Sequence, residues 1–140
     1  MQCVLLLSGG KDSLYSLVHA TANGHHPVLL ASLGKPPPPF PLDDANEEMD
    51  SFLFQTVGHA ALDAVASALG LPLVRAPITG TTIDHAVDYG SRLTLDGVHG
   101  DETEDLYNLL ARCCRSYPQL KAVCSGAILS NYQRVRVEHV

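Results

Sequence analysis

Residues 3–14 read CVLLLSGGKDSL: five apolar residues, a short polar turn with two glycines, and the start of a new apolar pattern. The apolar run predicts a buried strand, and the pattern that follows Lys11 predicts a helix. Two adjacent glycines let peptide N–H groups turn inward at the start of a helix, where they and the helix dipole favour an anion. We therefore predict that Ser8 to Ser13 form a nucleotide phosphate-binding loop.

Each residue type in this loop has a chemical use. Lys11 supplies a cation, and the Asp12 carboxylate is a ligand for a magnesium ion between phosphate oxygens, so both are catalytic candidates. The predicted nucleotide contacts in the loop are Ser8, Gly9, Gly10, Lys11, Asp12 and Ser13. A Walker A motif is excluded because Asp12 follows Lys11 where Ser or Thr is required. A dinucleotide fingerprint is excluded because no third glycine comes before Gly24.

The bulk composition restricts the class of protein. At 140 residues the chain is long enough for one domain with a hydrophobic core. Its net charge of −6 argues against a general nucleic-acid-binding protein, which carries a basic face. The apolar runs are too short to cross a bilayer. The four cysteines lack the spacing of metal ligands, so we expect a reducing cytoplasm. From the net charge and the length of the apolar runs we expect no direct nucleic-acid partner and no membrane.

Continuous apolar runs alternate with helical patterns along the rest of the chain. Such runs predict strands buried on both faces, as in a parallel sheet. The predicted strands are Cys3–Leu7, Val28–Leu33, Leu73–Ile78 and Ala122–Ser125. Helical spacing begins at Leu14, Leu62 and Leu106. Gly24 and Gly70 stand where the first two helices should be capped. We predict an α/β, Rossmann-like fold with about four to five parallel strands and helices on both faces.

Two irregular segments interrupt this pattern. Residues 34–46 contain five prolines, which cannot donate to a β-ladder or continue a helix. We predict a proline-rich surface loop there, and a ligand for a proline-recognising partner is the alternative. Residues 79–100 mix glycines with polar residues and are predicted to be a mobile segment over the site.

The loops that follow the strands should assemble the site, because ligands bind parallel sheets at the carboxyl ends of the strands. Ser125 and Gly126 follow the last predicted strand and would face the first loop as a second phosphate contact. A plain strand-to-helix turn explains the same two residues equally well.

Further candidates lie in an acidic helix start and near the end of the chain. Carboxylates in a first helical turn complement the helix dipole, and the same groups could recognise substrate or lie near a metal. The candidate substrate residues are Gly100, Asp101, Glu102, Glu104, Tyr132 and Arg134. Arg134 could clamp a phosphate or a carboxylate, or it could lie on a solvated helix face.

Four ordered motifs carry a resemblance to a known family. They are SGGKDS at Ser8, DSFLFQTVGH at Asp50, GDETEDLYNLL at Gly100 and SGAILSNYQRVRVEHV at Ser125. The first matches the Ser-Gly-Gly-x-Asp-Ser pattern of the PP-loop ATP pyrophosphatases, which share a Rossmann-like, HUP-type fold. Together the four motifs resemble the diphthine-ammonia ligases, one branch of that superfamily.

This resemblance implies an activity. The family is expected to use ATP, Mg²⁺ and ammonium to convert diphthine on elongation factor 2 into diphthamide in the cytoplasm, through an acyl-adenylate and with release of AMP and pyrophosphate. It implies that the adenine lies against the second strand at Ala31 and Ser32 and that the metal is held near Asp12. Asn131 stands where the family often has aspartate. Family members carry further sequence, so we expect residues 1–140 to be an incomplete PP-loop domain, truncated at the C-terminus. We expect the ligase activity in the complete protein and not in this piece alone.

Two alternatives stay open. Another PP-loop enzyme, one that modifies tRNA or forms a different amide, would use the same loop. Thiolation of tRNA usually needs paired cysteines and a basic surface, and neither is visible in the sequence. A non-catalytic adenine-nucleotide-binding module is the other alternative.

Overall fold

The computed structural model describes residues 1–34, 61–83, 89 and 98–140. Helices and strands alternate along this part of the chain. In chain order they are β1 (Gln2–Leu6), α1 (Lys11–Ala22), β2 (His26–Gly34), α2 (Leu62–Leu69), β3 (Leu73–Pro77), α3 (Glu102–Ser116), β4 (Ala122–Cys124) and α4 (Asn131–His139). The predicted proline-rich loop beyond Gly34, the motif at Asp50 and most of residues 84–97 lie outside the described residues.

The four strands form one parallel sheet in the order β3-β2-β1-β4. Strand β1 is internal, because Leu5 pairs with Leu30 of β2 on one side and with Cys124 of β4 on the other. The chain moves outward through β2 and β3 and then crosses back to β4 beyond β1. Such a reversal of strand order opens a crevice at the carboxyl ends of the two strands that flank it, here β1 and β4. The predicted α/β parallel sheet is confirmed, and each predicted strand overlaps an observed one.

Apolar side chains pack on both faces of the sheet. On one face Leu29 belongs to a core cluster with Leu106 and Leu109 of α3. On the other face its neighbour Leu30 belongs to a second cluster with Leu62 of α2. Successive side chains of a strand point to opposite faces, so these two adjacent leucines serve different cores. Coverage on both faces explains why the two central strands, β1 and β2, contain continuous apolar runs. The edge strands β3 and β4 are only partly buried, so the prediction of burial on both faces is wrong for them.

The ends of the first two helices lie close to the predicted glycines. Gly70 caps α2 in the left-handed conformation, with φ +64, as predicted. Helix α1 is capped one residue earlier than predicted, at Asn23, and Gly24 follows with φ +76. Across the described ranges, no helix has both the length and the apolar character needed to cross a membrane.

Candidate nucleotide-binding site

A cavity of about 310 Å³ opens at the carboxyl ends of β1, β2 and β4. Its lining includes Ser8, Gly10, Lys11, Asp12 and Ser13 of the first loop, Ala31, Ser32 and Leu33 of β2, Ser125, Gly126 and Ala127 after β4, and Leu106, Leu109, Gln133 and Val137 of α3 and α4. The structure thus brings every predicted nucleotide-contact residue except Gly9 to one cavity. That these residues bind a nucleotide stays a prediction.

Hydrogen bonds of Ser8 and Ser13 stabilise the first loop. The Ser13 hydroxyl donates to the carbonyl oxygen of Gly10 at 2.8 Å, and the backbone N–H of Gly10 donates to the Ser8 hydroxyl at 3.4 Å. Gly9 adopts φ +86, a conformation that favours glycine. Helix α1 begins after Gly10 without a side-chain cap, so backbone N–H groups of its first turn face the cavity side without an intrahelical partner. Such N–H groups suit a phosphate.

The two charged residues of the loop lie at the mouth of the cavity. The Lys11 ammonium and the Asp12 carboxylate form an ion pair of 2.8 Å, and their side chains are 88% and 54% exposed. Exposed pairs of this kind contribute little to stability and separate readily when a ligand arrives. Both charges are therefore available to a ligand at the mouth.

Asp12 is the residue that suits a divalent cation here. The described residues contain no group of three or more His, Cys, Asp or Glu side chains that could hold a metal by themselves. Magnesium is commonly held by one or two carboxylates together with phosphate oxygens and water. The Asp12 carboxylate at the cavity mouth fits that arrangement, in which the phosphates supply the remaining ligands.

The loop after β4 contacts the start of α1 through backbone atoms. A Cβ atom on Gly126 would lie 2.7 Å from the backbone nitrogen of Ser13 and 2.8 Å from the carbonyl carbon of Asp12. Ser125 stabilises this turn, because its hydroxyl accepts from the N–H of Ala127 at 3.2 Å. Ser125 and Gly126 therefore form a strand-to-helix turn and line the cavity at the same time. A contact between these two residues and a phosphate stays a prediction.

Strand β2 contributes a buried hydroxyl to the cavity. Ser32 is 2% exposed, lines the cavity and has no hydrogen-bond partner for its Oγ atom within the described residues. A buried hydroxyl without a partner is costly, so this group is suited to a ligand that supplies one. The neighbouring carbonyl of Ala31 already accepts from the N–H of Leu7 at 2.8 Å.

The acidic start of α3 has partners within the chain. The Asp101 side chain caps α3 by accepting from the N–H of Thr103 at 2.9 Å. The Asp105 carboxylate accepts from the N–H groups of Thr79 and Gly80, each at 2.8 Å. A Cβ atom on Gly80 would lie 2.6 Å from the carbonyl carbon of Asp101, so the two segments touch. These carboxylates hold residues 79–83 against the start of α3.

None of the predicted substrate residues lines the cavity. Gly100, Asp101, Glu102 and Glu104 belong to the start of α3, where Asp101 and Glu102 are 1% exposed. Arg134 forms an ion pair of 3.0 Å with Glu138 on an exposed face of α4. Tyr132 lies beneath the guanidinium of Arg136. A direct contact between these residues and a substrate stays a prediction.

The cavity residues on α3 and α4 were missed by the sequence analysis. Leu106 and Leu109 belong to the core face of α3, as helical spacing predicts, and they also line the cavity. Gln133 and Val137 lie one turn apart on α4, which begins after the Ser130 cap. The spacing of these two residues is the one sequence signal that could have placed them on a common face.

The sheet with its strand reversal, together with the Gly-rich loop at the start of α1, defines a Rossmann-like α/β protein with a Gly-rich loop at the crevice. No family model matches the chain. Over 140 residues it is 43% identical to the diphthine-ammonia ligase of Schizosaccharomyces pombe, 42% to that of Bos taurus and 41% to that of Homo sapiens. The chain is therefore a homologue of the diphthine-ammonia ligases, matching the N-terminal part of these larger proteins.

These alignments cover the whole of this chain but only part of each relative. The chain spans 48% of the length of the bovine and human proteins and 21% of the length of the fission-yeast protein.

Proposed function

We propose that this chain is the ATP-binding part of a diphthine-ammonia ligase. The observation that carries the proposal is the convergence of three separate segments on one cavity: the Ser8–Ser13 loop, the buried Ser32 hydroxyl and the turn at Gly126. The cavity is lined by groups suited to a phosphate, a nucleoside and a metal ion. The homology supplies the reaction class, because each of the three relatives is named for it.

The proposed phosphate contacts follow from the geometry of the loop. The N–H groups at the start of α1 and the Lys11 ammonium would neutralise the triphosphate oxygens. Asp12 would hold Mg²⁺, which adds positive charge beside the same oxygens. The Ser32 hydroxyl would contact the nucleoside, which lies against β2 in this proposal.

The proposed chemistry activates a poor electrophile. A carboxylate oxygen of diphthine on elongation factor 2 attacks the α-phosphorus of ATP, and pyrophosphate leaves. The nitrogen of ammonia then attacks the acyl carbon, AMP leaves with the electron pair of the broken C–O bond, and the nitrogen loses a proton to give the amide. The residues of the first loop act mainly by positioning ATP and by stabilising the charge that develops on pyrophosphate. Loss of one such donor typically lowers the rate about a hundredfold or more. The proposed setting is the cytoplasm.

The first test is direct binding. We expect the chain to bind a non-hydrolysable ATP analogue with Mg²⁺ in a saturable titration, and Asp12→Asn and Lys11→Met to weaken that binding at least about tenfold. Asp63→Asn is the matched control, since Asp63 is an exposed carboxylate on α2 that does not line the cavity and forms an ion pair of 3.3 Å with Arg75. A folded wild-type chain that does not bind the analogue contradicts the proposal.

A second assay separates the reaction class from binding alone. The full chain is incubated with ATP, ammonium and elongation factor 2 that carries diphthine, and AMP is measured. AMP that forms only with this protein substrate supports the ligase. AMP release by a chain extended to the length of the relatives but not by this piece also supports the ligase, whereas binding without AMP release by both supports a non-catalytic nucleotide-binding module.

A further inference from the structure

Helix α4 contacts the cavity with one face and the rest of the protein with another. Gln133 and Val137 line the cavity. Tyr132, Arg136 and His139 follow one another at helical spacing on a neighbouring face. The fully buried residue of α4 is Arg136, which has 0% of its surface exposed, and not an apolar side chain. Val137 and Val140 pack on the core cluster that contains Leu106 and Leu109, so the placement of α4 depends on these contacts together with the surroundings of a buried guanidinium.

Two aromatic rings flank that guanidinium. Its Cζ atom lies 3.4 Å from the centre of the Tyr132 ring and 5.1 Å from the centre of the Tyr89 ring. A guanidinium within about 6 Å of an aromatic ring centre is attracted to the ring, and the attraction grows when water is excluded. Tyr132 belongs to α4 itself, whereas Tyr89 comes from a different part of the chain. The contact with Tyr89 therefore ties α4 to the protein.

Tyr89 is in turn anchored to α3. Its side chain is buried, and its hydroxyl donates to Glu104 Oε1 at 2.9 Å and accepts from the N–H of Val98 at 3.2 Å. His139 packs edge-on against the same ring, with the ring centres 4.9 Å apart. Burial and the Glu104 carboxylate raise the pKa of Tyr89 well above its ordinary value, so the phenol keeps its proton and stays a donor. Through this ring α3 and α4 are linked by residues that do not line the cavity.

We propose that Arg136 and Tyr89 are positioning residues for the nucleotide cavity. Neither residue lines the cavity. Their contact holds α4 at the distance from α3 at which Gln133 and Val137 complete the cavity wall. Helix α3 supplies a further part of that wall through Leu106 and Leu109. The inference rests on the proposed nucleotide site and adds that residue 89 controls nucleotide affinity from outside it.

The test compares nucleotide affinity in variants of the full chain. Arg136→Met removes the charge, Tyr89→Leu removes the ring, and Tyr89→Phe keeps the ring but loses the bond to Glu104. We expect the first two to raise the Kd for a non-hydrolysable ATP analogue with Mg²⁺ about tenfold, and Tyr89→Phe to restore affinity to within about threefold of the wild type. The double variant Tyr89→Leu/Arg136→Met should lose less affinity than the two single losses combined, because both changes break the contact between these two residues.

Two controls separate positioning from general destabilisation. Arg115→Met removes an exposed arginine from α3 and should leave the Kd unchanged. Leu110→Ala removes a buried side chain of the α3 core that does not line the cavity, so it should lower the melting temperature without changing the Kd. Loss of affinity in Leu110→Ala equal to that in Tyr89→Leu, at equal loss of melting temperature, overturns the inference. So does unchanged affinity in Arg136→Met and Tyr89→Leu while the wild type binds. If the wild type itself does not bind, the proposed nucleotide site and this inference fall together.

Discussion

Gly126 and Ser13 are in backbone contact: a Cβ atom on Gly126 would lie 2.7 Å from the nitrogen of Ser13, closer than side-chain carbons come to backbone atoms. The loop after β4 therefore rests directly on the first turn of α1. The atoms on the other side of this contact are backbone atoms, which cannot turn away as a flexible side chain would. The contact couples two of the loops that line the cavity.

Gly126→Ala should disrupt the nucleotide site by forcing these two loops apart. We expect the Kd for a non-hydrolysable ATP analogue to rise at least about tenfold, because N–H groups at the start of α1 lose their alignment. Gly24→Ala is the matched control: it lies in open space at φ +76, so it should cost about 1 kcal/mol of unfolding free energy and leave the Kd unchanged. Equal affinity of Gly126→Ala and the wild type would show that the two loops do not cooperate.

Ser32→Ala should separate ligand binding from stability. The Ser32 hydroxyl is buried without a partner within the described residues, so its removal should not lower the free energy of unfolding. If a bound nucleotide supplies the partner, the Kd should rise about fivefold, which corresponds to one hydrogen bond of about 1 kcal/mol.

Thr103→Val is the matched control for Ser32→Ala. Thr103 also carries a buried hydroxyl without a partner in the described part of the chain, but it does not line the cavity. Its replacement should leave both stability and affinity close to the wild-type values. Titration and urea unfolding of the two variants give the comparison, and similar losses of affinity in both would exclude a specific role for Ser32.

Asp105→Ala should lower stability, because one carboxylate holds three donors. It accepts from the N–H and the hydroxyl of Thr79 and from the N–H of Gly80, each at 2.8 Å. We expect the free energy of unfolding in urea to fall by about 2 kcal/mol, since bonds to a charged acceptor are stronger than ordinary ones. Asp63→Asn, which removes one exposed ion pair, should change it by less than about 0.5 kcal/mol. Losses of the same size in the two variants would contradict the structural role of Asp105.

Alkylation at pH 8 should label Cys114 before the other three thiols. Cys114 is exposed, whereas Cys3 and Cys113 are buried. Burial and the neighbouring Cys3 thiol raise the pKa of Cys124 to about 12, and burial raises that of Cys113. A raised pKa leaves less of the reactive thiolate at a given pH, so these thiols should react slowly until the protein unfolds. Mass spectrometry after iodoacetamide treatment, with Cys114→Ser as the control, reports the order. A fast phase that persists in Cys114→Ser would show that a second thiol is accessible.

Much of the fold could be predicted because the sequence patterns that indicate it are local. Strands β1 and β2 are short apolar runs, and their burial on both faces follows from those runs. Strands β3 and β4, also predicted to be buried on both faces, lie at the edges of the sheet and are only partly buried, which the apolar runs did not indicate. The Ser8–Ser13 loop could be predicted for the same reason, since two adjacent glycines between a strand and a helix need no distant partner to form an anion-binding turn. The convergence of this loop with β2 and Gly126 followed from the general rule for carboxyl ends of parallel strands.

The remaining features depend on residues that are far apart in the sequence. Asp105 of α3 bonds to Thr79, which is 26 residues away in the sequence. Arg136 of α4 contacts the ring of Tyr89, which also comes from a distant part of the chain. Helical spacing identifies which residues share a face but not which face meets the cavity, so Gln133 and Val137 could not be assigned in advance. Thus the sequence by itself determined the strands, the phosphate-loop candidate and the sheet class. Tertiary packing alone decided which side chains complete the cavity wall and which carboxylates accept hydrogen bonds from other segments of the chain. Those contacts form only when distant segments come together.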